Sequence, residues 1–165
     1  MAQGNGRTGK AVEHLVAATC ILASRGELNV STALVDDEGV DLVFHRRDGS
    51  ATLAVQVKSR TTDASVIRRG QFLHDVRGQT FRPRPDLYVL FVVVDLPSAD
   101  FDPVWLVPSE TLAQLVKPNA RGSLRFAASL KQASRDRWSP FRLTRIALPS
   151  AILDLLEGLE SRPSQ

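Results

Sequence analysis

The apolar run from Leu87 to Val94 is the feature that most constrains the fold. Its residues, Leu-Tyr-Val-Leu-Phe-Val-Val-Val, do not alternate with polar residues, and turn-forming Pro85-Asp86 and Asp95-Leu96-Pro97 bound the run on either side. A short run of this kind, rich in β-branched residues, indicates a strand that is buried on both faces. Such a strand belongs inside a sheet that is covered on both sides.

A β-hairpin is predicted upstream, over residues 40–58. The Asp48-Gly49 pair lies between two apolar runs, and glycine supplies the positive φ that a tight hairpin turn needs. Side chains alternate along a strand, so Gln56 and Lys58 point the same way. An antiparallel partner strand would bring Asp41 within reach of both. A carboxylate, an amide and an ammonium would then converge, a set suited to Mg²⁺ and a phosphate group.

Helices and further strands are predicted around this hairpin. An amphipathic helix over 7–24 ends at Arg25-Gly26, and Glu13 borders its apolar face beside small residues that leave room for a carboxylate to reach inward. The other predicted elements are a strand over 28–35, a short helix or irregular segment over 61–85, strands over 104–107 and 124–130, a helix over 109–116 with Ser109 as N-cap, an ordered loop over 136–141 and a last helix from Pro149. This order predicts an α/β fold with a mixed central sheet of about five strands flanked by helices.

Composition favours one globular domain, which we predict over 9–160, between a flexible N-terminus (1–8) and a frayed tail (161–165). The chain has 165 residues, of which 43% are hydrophobic, and no apolar run approaches the ~20 residues of a membrane helix. No signal-peptide pattern is present, so we expect a cytoplasmic protein without a membrane partner. The single cysteine, Cys20, excludes an internal disulfide and a cysteine-based zinc site. Phosphate-loop and dinucleotide motifs are also missing.

The order helix-Glu13, strand-Asp41 and strand-Gln56-x-Lys58 resembles the PD-(D/E)-x-K phosphodiesterase superfamily, in its Q-x-K variant. It is also similar to the archaeal Holliday-junction resolvases and the restriction-type endonucleases. The segments 87–95, 104–107 and 136–140 look like an uncharacterised bacterial domain family of that superfamily. The resemblance implies a restriction-endonuclease-like core. It also implies a metal-dependent endonuclease that hydrolyses phosphodiester bonds in DNA.

The resemblance also implies a role for each site residue. Asp41 would be the main ligand of Mg²⁺ or Mn²⁺, Gln56 and the Val57 carbonyl further ligands, and Glu13 an auxiliary one. Lys58 would position water or stabilise charge. An amide binds Mg²⁺ less strongly than the carboxylate usual at the position of Gln56, although the acidic turn over 36–38 could compensate. Two alternatives therefore stay open: a catalytically inactive nucleic-acid-binding relative, and an interaction module unrelated to nucleic acid.

Charge is unevenly distributed, although the net charge is only +3. Residues 27–41 hold five acidic and no basic side chains, whereas 117–145 hold eight basic side chains against one acidic. This separation suits DNA, or alternatively RNA, as partner. The predicted phosphate-contacting residues are Arg68, Arg69, Arg77, Arg82, Arg84, Arg121, Arg125, Arg135 and Arg137. Alternatively, these arginines solvate loops or pair with the acidic residues of 86–110. Cleavage of both DNA strands would favour a homodimer.

Overall fold

The structure, a computed structural model, describes residues 4–32 and 39–162. The helices are α1 (Gly4–Ala23), α2 (Ser65–Arg68), α3 (Ser109–Leu115) and α4 (Leu148–Glu160). The strands are β1 (Leu28–Thr32), β2 (Leu42–Arg46), β3 (Thr52–Thr61), β4 (Gln71–Arg77), β5 (Leu87–Asp95), β6 (Asp100–Pro108), β7 (Ser123–Ser129) and β8 (Arg142–Leu143). A 3-10 turn over Ser139–Phe141 leads into β8.

The central sheet is mixed, as the sequence predicts, and the α/β class is confirmed. It has six strands, one more than expected, in the order β1-β2-β3-β5-β6-β8. β3 and β5 run parallel, and the other neighbouring pairs are antiparallel. The β1-β2-β3 meander therefore forms one half of the sheet, and β5 joins it through β3.

The strand β5 is buried on both faces, as predicted from its unbroken apolar run. On one face Leu90 and Val92 join a core with α1 and α4. On the other face Val89 and Phe91 join a second core, to which β4, β7 and α3 contribute. This second face is covered largely by strands, whereas the sequence predicts helices on both faces.

The strands β4 and β7 pair with each other in a separate two-stranded sheet. The prediction of a short helix or irregular segment over 61–85 was therefore incomplete, because α2 is followed by the strand β4. Likewise the strand predicted over 124–130 belongs to this second sheet. In β4 the residues Phe72 and Val76 point into the core, and His74 and Asp75 interrupt the apolar pattern between them. This interruption hid the two-residue period.

Three local predictions need correction. Residues 4–8, predicted to be flexible, are helical because α1 begins at Gly4. Ser109 is not the N-cap of α3: it is fully buried, and its hydroxyl donates to the Arg84 carbonyl (2.9 Å) and accepts from the Arg84 N–H (3.0 Å). In the hairpin turn, Asp48 rather than Gly49 adopts the positive φ, at 59°.

The end of α1 agrees with its predicted stop, because Arg25 and Gly26 have φ values of 53° and 80°. Cys20 lies fully buried on this helix, and burial raises the pKa of its thiol to about 12. The thiol is therefore protonated at neutral pH, as expected for a packing residue. Within the described ranges, no helix is both long and apolar enough to cross a membrane.

Candidate active site

Asp41 lies at the point where the β2–β3 ladder ends. Its backbone N–H donates to the Val55 carbonyl (3.0 Å), and its carboxylate Oδ2 accepts from the Val57 N–H (2.7 Å). The side chain thus takes the place of a backbone acceptor. A hydrogen bond to a charged group at this distance is strong, so it holds the carboxylate in one orientation.

The side chains of Gln56 and Lys58 point to the face of β3 that is opposite α1. Leu53 and Val55 pack with α1, whereas Ala54 packs in the second core, so alternation directs Gln56 and Lys58 toward that second side. Gln56 is only 8% exposed. Leu42 pairs with Val55, which makes the Asp41 and Gln56 positions neighbours across the two strands.

Gly39 packs directly against the Gln56 side chain. A Cβ atom added at Gly39 would lie 2.5 Å from Gln56 Nε2, and Gly39 has a φ of 71°. Only glycine adopts this conformation without cost and leaves room for the amide. The sequence shows Gly39 as a turn residue, but nothing in it indicates that Gln56 packs there.

We expect Gly39→Ala to lower the free energy of unfolding. The backbone strain should cost about 1–2 kcal/mol, and the added methyl group must also displace the Gln56 amide. Gly26→Ala is the matched control, because Gly26 has a φ of 80° and nothing within 4 Å of the added Cβ. Urea unfolding would be measured on both variants, and Gly39→Ala should lose more stability because only its added Cβ meets Gln56. Equal losses in the two variants would contradict the close contact between Gly39 and Gln56.

A cavity of about 450 Å³ lies along β3, beyond the end of its pairing with β2. β2 pairs with β3 only over Thr52–Val55, whereas β5 pairs along the other edge from Ala54 to Thr61. Within the described ranges, the first edge is therefore open beyond Val57. The residues lining the cavity are Thr8, Gly9, Val57, Lys58, Ser59, Arg60, Thr61, Ala64 and His74.

The four predicted site residues do not all reach this cavity: Gln56, which points to the same side of β3 as Lys58, is not one of the described residues that line it. Lys58 lines it, and Asp41 reaches its border through the bond to Val57. Glu13 lies on α1 one turn after the lining residue Gly9, with its side chain 12% exposed and its Oε2 bonded to Lys10 Nζ (2.7 Å). The Glu13 side chain is thus largely shielded from solvent and paired with Lys10.

Asp41, Gln56 and Val57 carry oxygen atoms of the kind that bind Mg²⁺. Within 4–32 and 39–162, no three His, Cys, Asp or Glu side chains are placed to hold a metal ion, and the acidic turn over 36–38 lies outside these ranges. Mg²⁺ usually keeps several waters and takes one or two carboxylates together with substrate phosphates. One fixed carboxylate, Asp41, beside the Gln56 amide and the Val57 carbonyl therefore fits Mg²⁺ completed by water and substrate.

His74 lines the cavity from β4, and the sequence interpretation missed it. Its Nδ1 lies 3.1 Å from the Asp75 carbonyl, which can only accept, so Nδ1 carries the proton. Burial, followed by the charges of Arg60 and Lys58, lowers the His74 pKa to about 4. At neutral pH the ring is therefore uncharged. Recognising β4 as a strand would have placed His74 on the same face as Phe72 and Val76.

The predicted phosphate-contacting arginines fall into two groups. Some have protein partners: Arg125 makes a bidentate ion pair with Asp75 (2.8 and 3.1 Å), Arg84 pairs with Asp86 (3.0 Å), Arg82 donates to the Gln79 carbonyl (2.8 Å), and Arg137 donates to the Leu115 carbonyl (2.6 Å). The others are exposed and form no ion pair within the part of the chain that the structure describes: Arg68, Arg69, Arg77, Arg121 and Arg135. Among the ion pairs of the described residues, Arg84 is the one member of the nine that pairs with the acidic segment 86–110.

Comparison with known proteins supports the fold. No family model and no curated protein matches the chain. Among solved structures, the bacterial homing endonuclease I-Ssp6803I is similar, with a TM-score of 0.54 and 18% sequence identity over 98% of this chain and 100% of that one. The chain therefore has, over nearly its whole length, the fold of that endonuclease.

Proposed function

We propose that the protein is a metal-dependent endonuclease that hydrolyses phosphodiester bonds in DNA at the open edge of β3. The observation that carries the proposal is the Asp41–Val57 hydrogen bond, which fixes a carboxylate where the edge opens and the Lys58 cavity begins. The likeness of the fold to a homing endonuclease supports the same class of reaction.

Asp41 would be the main ligand of Mg²⁺ or Mn²⁺, with the Gln56 amide and the Val57 carbonyl beside it and Glu13 as an auxiliary ligand. When bound, such an ion activates water and neutralises charge on the phosphate. Gln56, being neutral, adds no repulsion beside Asp41. Gly39 packs against the Gln56 amide, and a side chain at residue 39 would displace it.

Lys58 would act on the phosphate itself. Hydrolysis forms a bond from water oxygen to phosphorus and breaks the bond from phosphorus to a sugar oxygen, while negative charge builds up on the phosphate oxygens. An ammonium group fixed beside those oxygens stabilises this charge more than it stabilises the ground state. Lys58 enters the cavity from a strand, which is a rigid support.

The five exposed arginines that form no ion pair with the described residues would hold the DNA backbone around the site. Arg68 and Arg69 end α2, and Arg77 ends β4, so these charges lie on the elements that follow the cavity strand. Neutralising phosphates releases counterions, and affinity should fall steeply as salt rises. Cleavage of both strands would need a second copy related by two-fold symmetry.

A nucleic-acid-binding relative without catalysis is the second candidate. Two observations favour it: Gln56 stands where a carboxylate is usual, and no cluster of three metal-binding side chains occurs within the described ranges. This candidate predicts salt-dependent binding to DNA and no product with any divalent ion.

A cleavage assay separates the two candidates. We expect labelled duplex and supercoiled plasmid to be cut in Mg²⁺ or Mn²⁺ and to stay intact in EDTA. Lys58→Met should cut about 100-fold more slowly, because one charge-stabilising donor is lost. Lys131→Met, which removes an exposed lysine outside the cavity, should cut like the wild type. Salt-dependent binding without cleavage under any metal would replace the enzyme with the binding relative.

A further inference from the structure

The cavity beside β3 has an unusual balance of charges. Lys58 and Arg60 enter it from β3, and His74 enters it from β4. Thr8, Ser59 and Thr61 also line it, and the Thr61 hydroxyl donates to Asp63 Oδ1. Within the described ranges, no lining residue is acidic. Two basic side chains and no carboxylate among these lining residues make the cavity suited to an anion.

Arg60 is held so that part of its guanidinium remains available. Its Nε donates to the Leu73 carbonyl (2.9 Å), which ties β3 to β4 at the wall of the cavity. This bond uses one of the five guanidinium N–H groups and fixes the plane of the group. The terminal nitrogens can then donate to an anion without further ordering of the side chain.

His74 also lines the cavity, and its uncharged imidazole can accept a proton. Its Nδ1–H is engaged by the Asp75 carbonyl, so Nε2 is the unprotonated nitrogen. The charges acting on the ring are Arg60 and Lys58 from β3, which oppose protonation, and Asp75 from its own strand, which favours it more weakly. The lining residues from α1 and the segment before α2 are Thr8, Gly9 and Ala64, none of which carries charge.

We propose that this cavity binds a phosphate group of nucleic acid, with Lys58 and Arg60 supplying positive charge and His74 taking up a proton from solvent as the phosphate enters. Burial and two cations oppose a third positive charge in the free cavity, whereas a bound phosphate offsets those charges and accepts a hydrogen bond from Nε2–H. The inference rests on the proposed function for the class of ligand, but it requires binding only, not catalysis.

Affinity for the phosphate group should depend on pH, because binding and protonation of His74 favour each other. If the phosphate raises the pKa of His74, binding takes up a proton wherever the pH lies between the free and the bound pKa values, and affinity rises as pH falls. The free value is about 4, so the window extends upward from there. In that window affinity should change by at most about tenfold per pH unit.

A thymidine oligonucleotide in EDTA is the probe, because neither its bases nor its phosphodiesters titrate between weak acid and neutral pH. We expect wild-type affinity to rise about 5- to 10-fold from neutral pH to about two units below it. His74→Gln should remove most of this rise. His45→Gln, which makes the same change in a half-buried histidine of β2 outside the cavity, should keep it. Calorimetry in buffers of different ionisation enthalpy would measure the proton uptake directly.

NMR of the wild-type protein makes the test independent of how the variant folds. The imidazole signals of His74 should titrate at higher pH once the oligonucleotide is bound. An unchanged His74 titration, or an identical pH dependence in His74→Gln, would overturn the proposal. Binding of inorganic phosphate without binding of the oligonucleotide would overturn the nucleic-acid assignment.

Oligonucleotide binding in EDTA and cleavage with a metal test the phosphate site and the endonuclease activity separately. Proton-coupled binding in EDTA without cleavage in any metal would support the phosphate site and reject the endonuclease. Cleavage that depends on Asp41, together with oligonucleotide binding that ignores His74, would support the endonuclease and reject the phosphate site.

Discussion

Asp41→Asn should reduce DNA cleavage by about 1,000-fold while changing the melting temperature little. Asparagine keeps a side-chain oxygen that can accept from the Val57 N–H, so the bond that closes the β2–β3 ladder can persist. The substitution removes the negative charge that would draw Mg²⁺ or Mn²⁺ to this place. Loss of several kcal/mol of transition-state stabilisation corresponds to a rate reduction of this order.

The matched control is Asp154→Asn, which removes an exposed carboxylate on α4. Cleavage rates at saturating Mg²⁺, with thermal melts of each protein, would make the comparison. Cleavage by Asp41→Asn at the rate of the control would reject Asp41 as a site residue. A large drop in melting temperature would instead indicate that its charge serves the fold.

Phe126→Ala should produce the largest loss of stability, about 3–5 kcal/mol. Phe126 is fully buried in β7 and stacks on Phe91 of β5, with 3.7 Å between ring centroids. It also contacts the rings of Phe72, Trp105 and Trp138 at centroid distances of 5.9, 5.8 and 4.8 Å. These rings join the two-stranded sheet to the central sheet, so truncation leaves a cavity that the surrounding rings cannot easily fill.

Urea unfolding would measure this loss against Ile146→Ala, which truncates a side chain that is 81% exposed and should stay within about 0.5 kcal/mol of the wild type. A cost below about 1 kcal/mol for Phe126→Ala would mean that the second sheet does not depend on this cluster. The truncation should also affect the cavity, because Phe126 pairs with His74 across β4 and β7.

Local sequence signals were sufficient for the central hairpin and for β5. A two-residue alternation, an Asp-Gly turn and an unbroken apolar run each act over a few residues, and these elements formed close to their predicted bounds. The strand β4 was not predictable in this way, because His74 and Asp75 interrupt its apolar residues. Its pairing with β7 spans some fifty residues, and only tertiary packing on Phe91 and Trp105 identifies its inner face.

The candidate site likewise has some features that local sequence signals predict and others that they do not. The shared direction of Gln56 and Lys58 follows from alternation along one strand, and the closeness of Gln56 to Asp41 follows from the hairpin register. The contact of Gly39 with Gln56 depends on how the chain enters β2. The position of His74 beside Lys58 depends on how a second sheet packs against the first. Neither of these two placements produces a periodic pattern in the sequence, so neither could be predicted from it.

The open edge of β3 also bears on self-association. A strand edge without a partner exposes N–H and C=O groups to which a strand of another molecule can add, which is a common start of aggregation. Asp41 satisfies one of these groups, because its carboxylate accepts from the Val57 N–H. Further along β3, Lys58 and Arg60 place two positive charges on the same face of the strand. A second copy that approached edge to edge would bring these charges against its own. The residues that we propose to bind a phosphate group at this edge would thus also repel the same strand of a second copy.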